Sequence, residues 1–550
     1  MKDDKTLTMR LIKSIILTIT VSLPMSAQQR LASPALTVKE PTFARMSDAK
    51  VSWSSVDGAD SYSVKLDGEK VDVIGNTLYL TGKVGQHTIE VIANSSDDME
   101  QSLPAVACIN VRDYGDGTLE KPYLIYDRID WMQFADAVCE NYFDNEYFEG
   151  YYVALASNID FNGENIRQVG KNFATGFRGV FDGKGYTLKN AVLEGKGRLG
   201  LFHSFHGVMK DLKAENITVK CIVTKPADGR CAVICGGDAT GKFYNCMVTD
   251  CSVNIGGEGE VGRYAGIIAS GLNSQEALVE RCIAVGNEVT VGNSHASAIV
   301  ARVAAGTVSN CIAQDNRVYS GLRLASGIVV QVCGPNAIVN HCLSLSNRIT
   351  AKKFYATGVA AEISSGLVVN CTSDSNVLTV EEGHSVGGVA GLIKNEGNLI
   401  NCLSKNCTLN VNATKESFSG LLFANADKKL TGIILNCLVL SGSVNASDDL
   451  SGYIGIVGGK LADTTRCAEC FYNEMLVEDF DESQSKRFYG FGSTGSRGSD
   501  YDSASPVKRS ALKSMSSKSI MSRLNTCVRR FTSFGASEWI RGADGYPSIK

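Results

Sequence analysis

Excess positive charge, clustered histidine and long apolar stretches are absent from this 550-residue chain, and proline is scarce. Lysine and arginine number 54 against 58 aspartates and glutamates, which gives a formal net charge of −4 and a pI near 6.0. The chain therefore has no basic footprint for nucleic acid and no polybasic membrane patch. The 6 histidines, His87, His203, His206, His295, His341 and His384, fall in no Ser/His/Asp or metal-ligand spacing, so none has an orienting partner. Beyond the N-terminal segment no apolar run reaches the ~18 residues of a membrane span. Proline is down to 9 while glycine reaches 55, and β-branched residues and asparagine are plentiful, which suits a turn-rich β protein and not a helical one.

The chain begins with Lys5, Arg10 and Lys13 ahead of an apolar run over 14–23, with Ser26 and Ala27 following. This reads as a secretory signal peptide over residues 1–27, cleaved near Ala27 and Gln28, with Met9 as an alternative start. The first cysteine is Cys108, so no lipoprotein anchor is expected. The mature chain is expected to be secreted or held at the cell surface.

The strongest pattern is a returning cysteine at Cys246, Cys282, Cys311, Cys342, Cys371, Cys402 and Cys437. With the cysteine as position 0, position −3 is Phe243, Val279, Val308, Val339, Val368, Leu399 and Ile434, and position +7 is always aliphatic. Position +5 prefers Asn: Asn287, Asn316, Asn347 and Asn376, with Cys251, Cys407 and Gly442 in the other coils. A period of ~30 residues marks a stacked repeat whose units cannot bury their apolar faces alone. Three strand signals per period predict a three-sided, right-handed parallel β-helix. Its nine or ten coils would make a stack of roughly 45 Å at ~4.8 Å per coil. Cysteines that recur at one repeat position and alternate with apolar residues, as inward-facing small hydrophobes do, are expected to be reduced, buried thiols, since stacked side chains point in parallel. An inward Asn at a bend would bond its neighbours' backbone and stack as an amide ladder.

Ahead of the repeats, residues 36–112 alternate apolar and polar positions in about seven short strands around Trp53, as a β-sandwich does. The run Trp53-x-x-Val56-x-Gly58-Ala59-x-x-Tyr62-x-Val64 resembles a fibronectin type III module, a family whose members are spacers or binding platforms. Residues 115–150 hold a turn cluster and an amphipathic helix over 128–140, capped by Asp127, that would cover the open end of the solenoid. The succession Pro122-Tyr-x-Ile125, Asn158-Ile-Asp160, Phe177-x-Gly-x-Phe-Asp182-Gly-x-Gly185-Tyr-Thr-Leu188 and Gly200-Leu-Phe202 resembles the GLUG-repeat β-helix proteins of bacterial cell surfaces. Gly388-Val-Ala-Gly391-Leu is the nearest approach to the namesake motif. Solenoid coils are expected over 151–460. Residues 461–550 are expected to form a C-terminal closure, with a Gly/Ser-rich loop over 488–505 and a helix over 510–526. Its Trp539…Asp544-Gly-Tyr-Pro547 ending resembles the way GLUG-type chains finish.

Chemistry is thinly represented. Gly490-x-Gly492-x-x-Gly495 lacks the strand, helix and acidic residue of a dinucleotide site, and Cys467-x-x-Cys470 lacks a second pair for zinc, leaving a disulfide or two ordinary thiols. Phe205-His206-Gly207 matches a fragment of pectinase-type hydrolases, but glycosidic cleavage needs two facing carboxylates, and the repeats hold no column of Asp or Glu. Asp250 and Asp315 share position +4, where Ser346 and Ser375 also fall, with Asp374 one place earlier; this broken acidic stripe is the surface feature closest to a calcium or glycan contact. No catalytic, cofactor-binding or metal-binding residue is assigned. The resemblance implies a non-catalytic adhesion or glycan-binding role. A β-helix polysaccharide-degrading enzyme and a structural spacer are the alternatives. Partners are expected to be glycans or host and cell-surface macromolecules, not nucleic acid.

Overall fold

The computed structural model describes residues 29–46, 48–96, 99–141, 146–222, 229–256, 264–412, 417–446, 453–462, 466–477, 491–494, 504–514 and 519–550. The signal-peptide segment, Gly490, Gly495 and Met515 lie outside them. The chain divides into two compact units, residues 1–41 with 45–112, and residues 42–44 with 113–550.

In the first unit seven strands form two antiparallel sheets. One holds β1 (Leu36–Lys39), β2 (Lys50–Trp53) and β5 (Thr77–Tyr79); the other runs in the order β4 (Glu69–Val71), β3 (Ser61–Leu66), β6 (Gly85–Asn94) and β7 (Ala105–Val111). Alternation along each strand sends Val51, Trp53, Val64, Leu66, Ile89, Val91, Ile109 and Val111 into one core. Asp67 and Gly68, both at positive φ, make the two-residue β3–β4 turn whose twist matches the strands it joins.

The second unit is a parallel β-solenoid. Its N-terminal end is closed by α1 (Arg128–Glu140), where the Asp127 side chain accepts from the Ile129 and Asp130 amides as expected of an N-cap. Trp131 and Phe134 of α1 drop onto Phe161, Phe177, Phe181 and Phe202, with ring centroids 5.6–6.5 Å apart. This aromatic plug seals the first coils. Asp130, 1% exposed, accepts from Phe43 N at 3.1 Å, Tyr126 N at 3.1 Å and the Tyr114 hydroxyl at 2.9 Å; burial, with Asp127 adding, raises its pKa.

Beyond the plug the coils hold up to five strands, where three were expected; the long strands Ala269–Glu280 and Val300–Ser309 leave their own coils with four. The coil that carries the fourth ladder cysteine, Cys342, shows all five, as Arg317–Ser320, Leu324–Ser326, Val329–Val332, Ala337–Asn340 and Leu343–Leu345. The left-handed turn at His341 splits the cysteine strand in two, and Leu324–Ser326 is a further strand that the three expected signals did not include. A twelve-stranded sheet carries the strand after each cysteine, and two nine-stranded sheets start at Val192–Gly195 and Arg198–Leu199.

Two corners of the coil are set by left-handed residues. Position −1 (Asn245, Arg281, Asn310, His341, Asn370, Asn401, Asn436 and Glu469) lies at φ between 50° and 57°. Position +4 (Asp250, Gly286, Asp315, Ser346, Ser375, Asn406) lies between 53° and 67°. Asn, Asp and Gly are the residues for which that conformation costs least. The acidic stripe at +4 is thus a column of turn residues, and Gly286 and Asn406 in the same column were its sequence signal.

The cysteines stack between these corners, and all 18 cysteines of the chain are free. The ladder thiols from Cys282 to Cys437 each lie within reach of a carbonyl of the preceding coil, Cys311 of Val279 O at 3.5 Å and Cys342 of Val308 O at 3.6 Å, for example. Burial pushes the Cys311, Cys371 and Cys437 thiols up. Position +5 forms the amide ladder: the Oδ1 of Asn287, Asn316, Asn347 and Asn376 accepts the backbone N–H one coil before at 2.8–2.9 Å, and each Nδ2 donates to a carbonyl of that coil. Position +7 fills the interior next to it, with Val253, Val289, Val318, Ile349, Leu378 and Leu409 at 0–2% exposure, each worth ~1.5–3 kcal/mol relative to an exposed side chain.

The stacking runs past residue 460. Cys467–Ala468 pairs parallel with Ile434–Leu435, and Cys470–Asn473 with Leu438–Val439, so Cys470 is an eighth ladder cysteine and Cys467 takes the aliphatic −3 slot. The expected loop over 488–505 contributes Phe491–Thr494 and the start of Ala504–Val507 as further parallel strands. In place of one helix over 510–526 there are α2 (Arg509–Leu512) and α3 (Ile520–Arg530), the latter capped by Ser519 Oγ.

The α3 segment and the residues after it lie along the side of the last coils. Trp539, Leu524 and Val528 pack on Leu403, Leu438 and Phe471, while Cys527 packs with Val369, Ile400 and Leu435. The −1 asparagines serve as docking points: Asn370 Nδ2 donates to Gly535 O, Asn401 Nδ2 to Ser537 O, Asn436 Nδ2 to Leu524 O, and Trp539 Nε1 to Asn401 Oδ1.

Candidate functional site

An inward side chain at every second position of the 9-stranded sheet starting at Val192–Gly195 leaves two outward columns in register. The first reads Val192, Thr218, Ser252, Glu288, Arg317, Arg348, Val377, Thr408 and Ser443; the second reads Glu194, Lys220, Asn254, Thr290, Tyr319, Thr350, Thr379, Asn410 and Asn445. The face is a flat ramp of hydroxyls and amides. Many satisfy one another, as in Asn445 Nδ2 to Asn410 Oδ1 at 2.9 Å and Asn410 Nδ2 to Thr379 Oγ1 at 3.2 Å.

Near its middle lies a shallow cavity of about 450 Å³ lined by Glu288, Thr290, Arg317, Val318, Tyr319, Arg348 and Thr350. Arg317 and Arg348 stand directly opposite each other on adjacent parallel strands, both exposed, and make no ion pair among the described residues. Glu288 opposes Arg317 on the other side, and its carboxylate accepts from Thr290 Oγ1 at 3.5 Å. Burial, with the Glu381 carboxylate adding, raises the Tyr319 phenol, so it remains a neutral O–H donor on a flat ring. Lys352 beside it is taken up by Glu382 at 3.4 Å. Two other cavities contain an ion pair, Glu469 with Arg523 at 3.5 Å, where Arg530 also lines the wall, and Arg30 with Glu100 at 2.7 Å.

The histidines are spread through the structure in supporting roles. His87 pairs with Asp67 at 2.7 Å, His206 bridges Thr240 Oγ1 and Phe173 O, His341 meets Ser537 Oγ at 2.6 Å, and His384 stacks on Phe354. His203 lies 3.1 Å from Ser204 Oγ, and burial with the Arg198 charge pushes its pKa down to about 4. Ser204 is fully buried, and Asp238 is held by Arg198 at 3.0 Å and by Arg230, so these side chains do not form a nucleophile–base–acid relay. His295 is 5% exposed against Tyr264, and burial pushes its pKa down to about 3. Of the stripe residues, Asp374 pairs with Lys405 at 3.0 Å and Asp315 accepts from Gln314 Nε2 at 3.0 Å. Among the described residues no group of three or more His, Cys, Asp or Glu could hold a metal ion.

No family model matches the chain, and no curated protein matches it. Solved structures similar to it are distant. A Bacteroides ovatus protein assigned provisionally as an immunoglobulin A1 protease gives a TM-score of 0.32 at 15% identity over 79% of this chain and 94% of that one. An IgA1 protease gives 0.27 at 12% over 78% and 30% of the two chains. The Yersinia enterocolitica family 28 exopolygalacturonase gives 0.25 at 9% over 87% and 98%. Similarity this remote bears on no residue of the ramp.

The ramp was not singled out in the sequence. Its signal was there in positions +6 and +8, where Ser, Thr and Asn recur and only five charges occur in eighteen places.

Proposed function

We propose that this chain is a secreted or cell-surface protein that binds glycans without catalysis, its GLUG-type solenoid presenting the ramp and its fibronectin type III-like sandwich serving as a spacer or platform. The observation that carries the proposal is the groove around Arg317 and Arg348, where hydroxyls, an aromatic ring and unpaired guanidiniums meet a single carboxylate. Hydroxyl-rich ligands are recognised by such donors and acceptors together with an aromatic ring, with few charges needed. Hydrolysis at a glycosidic bond requires a second carboxylate across the bond, and Glu288 lacks one in the groove. The N-terminal signal sequence supports export, and no helix among the described residues is long and apolar enough to cross a membrane.

A glycan array paired with a reducing-end release assay on host and plant polysaccharides tests this. Binding without release is expected. Release of reducing ends that is lost in Glu288→Gln would establish the enzyme, and an empty array with no release would leave the structural spacer.

A further inference from the structure

The Arg317–Arg348 pair breaks a local rule of its own sheet. Like charges directly opposite on neighbouring strands repel, and at a coil spacing of ~4.8 Å nothing built into the sheet separates them. The same column offers the alternatives: Val377, Thr408 and Ser443 follow, and Thr218 and Ser252 precede. Ion pairs stabilise other faces, such as Lys405 with Asp374 at 3.0 Å and Lys210 with Asp182 at 2.8 Å, so carboxylates do stand opposite cations elsewhere on the solenoid. Glu288 stands opposite Arg317 but makes no ion pair with it among the described residues, and Arg348 has Val377 on its other side, so the like-charge pair inside the groove marks a ligand position.

We infer that Arg317 and Arg348 together hold one anionic group of an acidic saccharide, a carboxylate or a sulfate, whose sugar ring lies over Tyr319. This rests on the glycan-binding reading above and names its ligand class. Two guanidinium forks facing one oxyanion give parallel charge-assisted bonds and cancel the repulsion between them. Tyr319 follows Arg317 by two residues on the same strand, ~6.6 Å away, within the span between a pyranose face and its own acidic substituent. The groove has a direction. Glu381 and Glu382 lie toward Tyr319 and repel an anion there, which leaves that end for sugar hydroxyls, as does Glu288 at the other side of Arg317. Thr290 and Thr350 flank the ring position and offer hydroxyl partners. A nucleic acid would need cations repeated along its phosphates. The remaining columns of the ramp carry only Glu194 and Lys220 as further charges.

Titration calorimetry on the full chain, with polygalacturonate, its fully methylated ester, κ-carrageenan and oligo-dT as probes, decides the matter. Polygalacturonate or carrageenan is expected to bind at least tenfold more tightly than the uncharged ester, the two acidic polymers separating carboxylate from sulfate. R317Q/R348Q should erase that preference and leave the far-UV spectrum unchanged. At low salt it should also raise the thermal midpoint, because the repulsion is gone. Equal binding of charged and uncharged polymer, a preference that survives R317Q/R348Q, or equally tight oligo-dT would overturn the inference. Ester binding that persists in those cases would keep the glycan-binding reading, whereas no binding of any polysaccharide would remove both.

Discussion

Replacing Asn347 by Ala isolates the amide ladder from the rest of the repeat. Asn347 is fully buried; its Oδ1 accepts Asn316 N and Asn316 Nδ2, both at 2.9 Å, and its Nδ2 donates to Ala313 O at 2.8 Å and Ser344 Oγ at 3.0 Å. Alanine leaves the Asn316 backbone N–H without its acceptor and takes from the Ala313 carbonyl its side-chain donor, in a site closed to water. At ~1–3 kcal/mol for each stranded group, the loss is about 4 kcal/mol. Asn310 provides the comparison, because it is an exposed asparagine of the preceding coil, at φ 54°. Asn310→Ala should cost only the left-handed strain, ~1 kcal/mol, and Asn310→Gly almost nothing. Urea unfolding followed by circular dichroism, with amide exchange at Asn316, separates the cases. Equal losses for Asn347→Ala and Asn310→Ala would refute the ladder as a source of stability.

The other expectations concern thiols, pH and the two ends of the solenoid. Under non-reducing conditions all 18 cysteines should titrate after denaturation, whereas in the native chain exposed Cys108 should react first and the ladder not at all; a shortfall after denaturation would show disulfides that the structure lacks. Burial holds His295 at about 3 and His203 at about 4, so between the unfolded value near 6.5 and those values only the unfolded chain takes up the protons. Stability should therefore fall as pH drops from about 6.5 toward 3. His295→Gln should flatten part of that decline in thermal-midpoint measurements. Trp539→Ala should cost ~3–5 kcal/mol and free α3 from the last coils, visible as new exchange at Leu438 and Phe471. Asp130→Ala should weaken the aromatic plug more than Asp130→Asn, which keeps an acceptor for Phe43 and Tyr114, and comparing their melting temperatures checks this.

Much of the solenoid was legible in residues 246–444 because one residue type recurs at one inward slot. Cysteine at 0, Asn at +5 and aliphatics at +7 report interior packing and little else. The outward positions carry weaker signals, since several physical demands compete there. Position +4 looks acidic until Gly286 and Asn406 are placed beside Asp250 and Asp315, when backbone conformation explains it. Position −2 reads Tyr244, Glu280, Ser309 and Asn340, then Val369, Ile400, Leu435 and Ala468, and that switch to apolar residues foretells the segment covering the later coils. The end of the repeat was harder to locate because Cys467 replaces the aliphatic at −3 and the long insertion after Asn473 hides the spacing. The ramp escaped notice since Ser, Thr and Asn on a strand surface are ordinary, and only the register that sets Arg317 against Arg348 makes the position unusual.

The C-terminal segment also governs the order in which this chain can be completed. Its contacts reach back 196 residues from Ser537 to His341 and 138 from Trp539 to Asn401. Coils closed by the aromatic plug rely on neighbours already synthesised and can stack from the N-terminus as the chain emerges. The later coils must wait, with Val369, Ile400 and Leu435 uncovered, until the last residues arrive. Such late, long-range contacts slow the final step and leave a sticky strip exposed until it is complete. A truncation before Ser519 should thus trap a chain that is folded at its start and prone to association at its end.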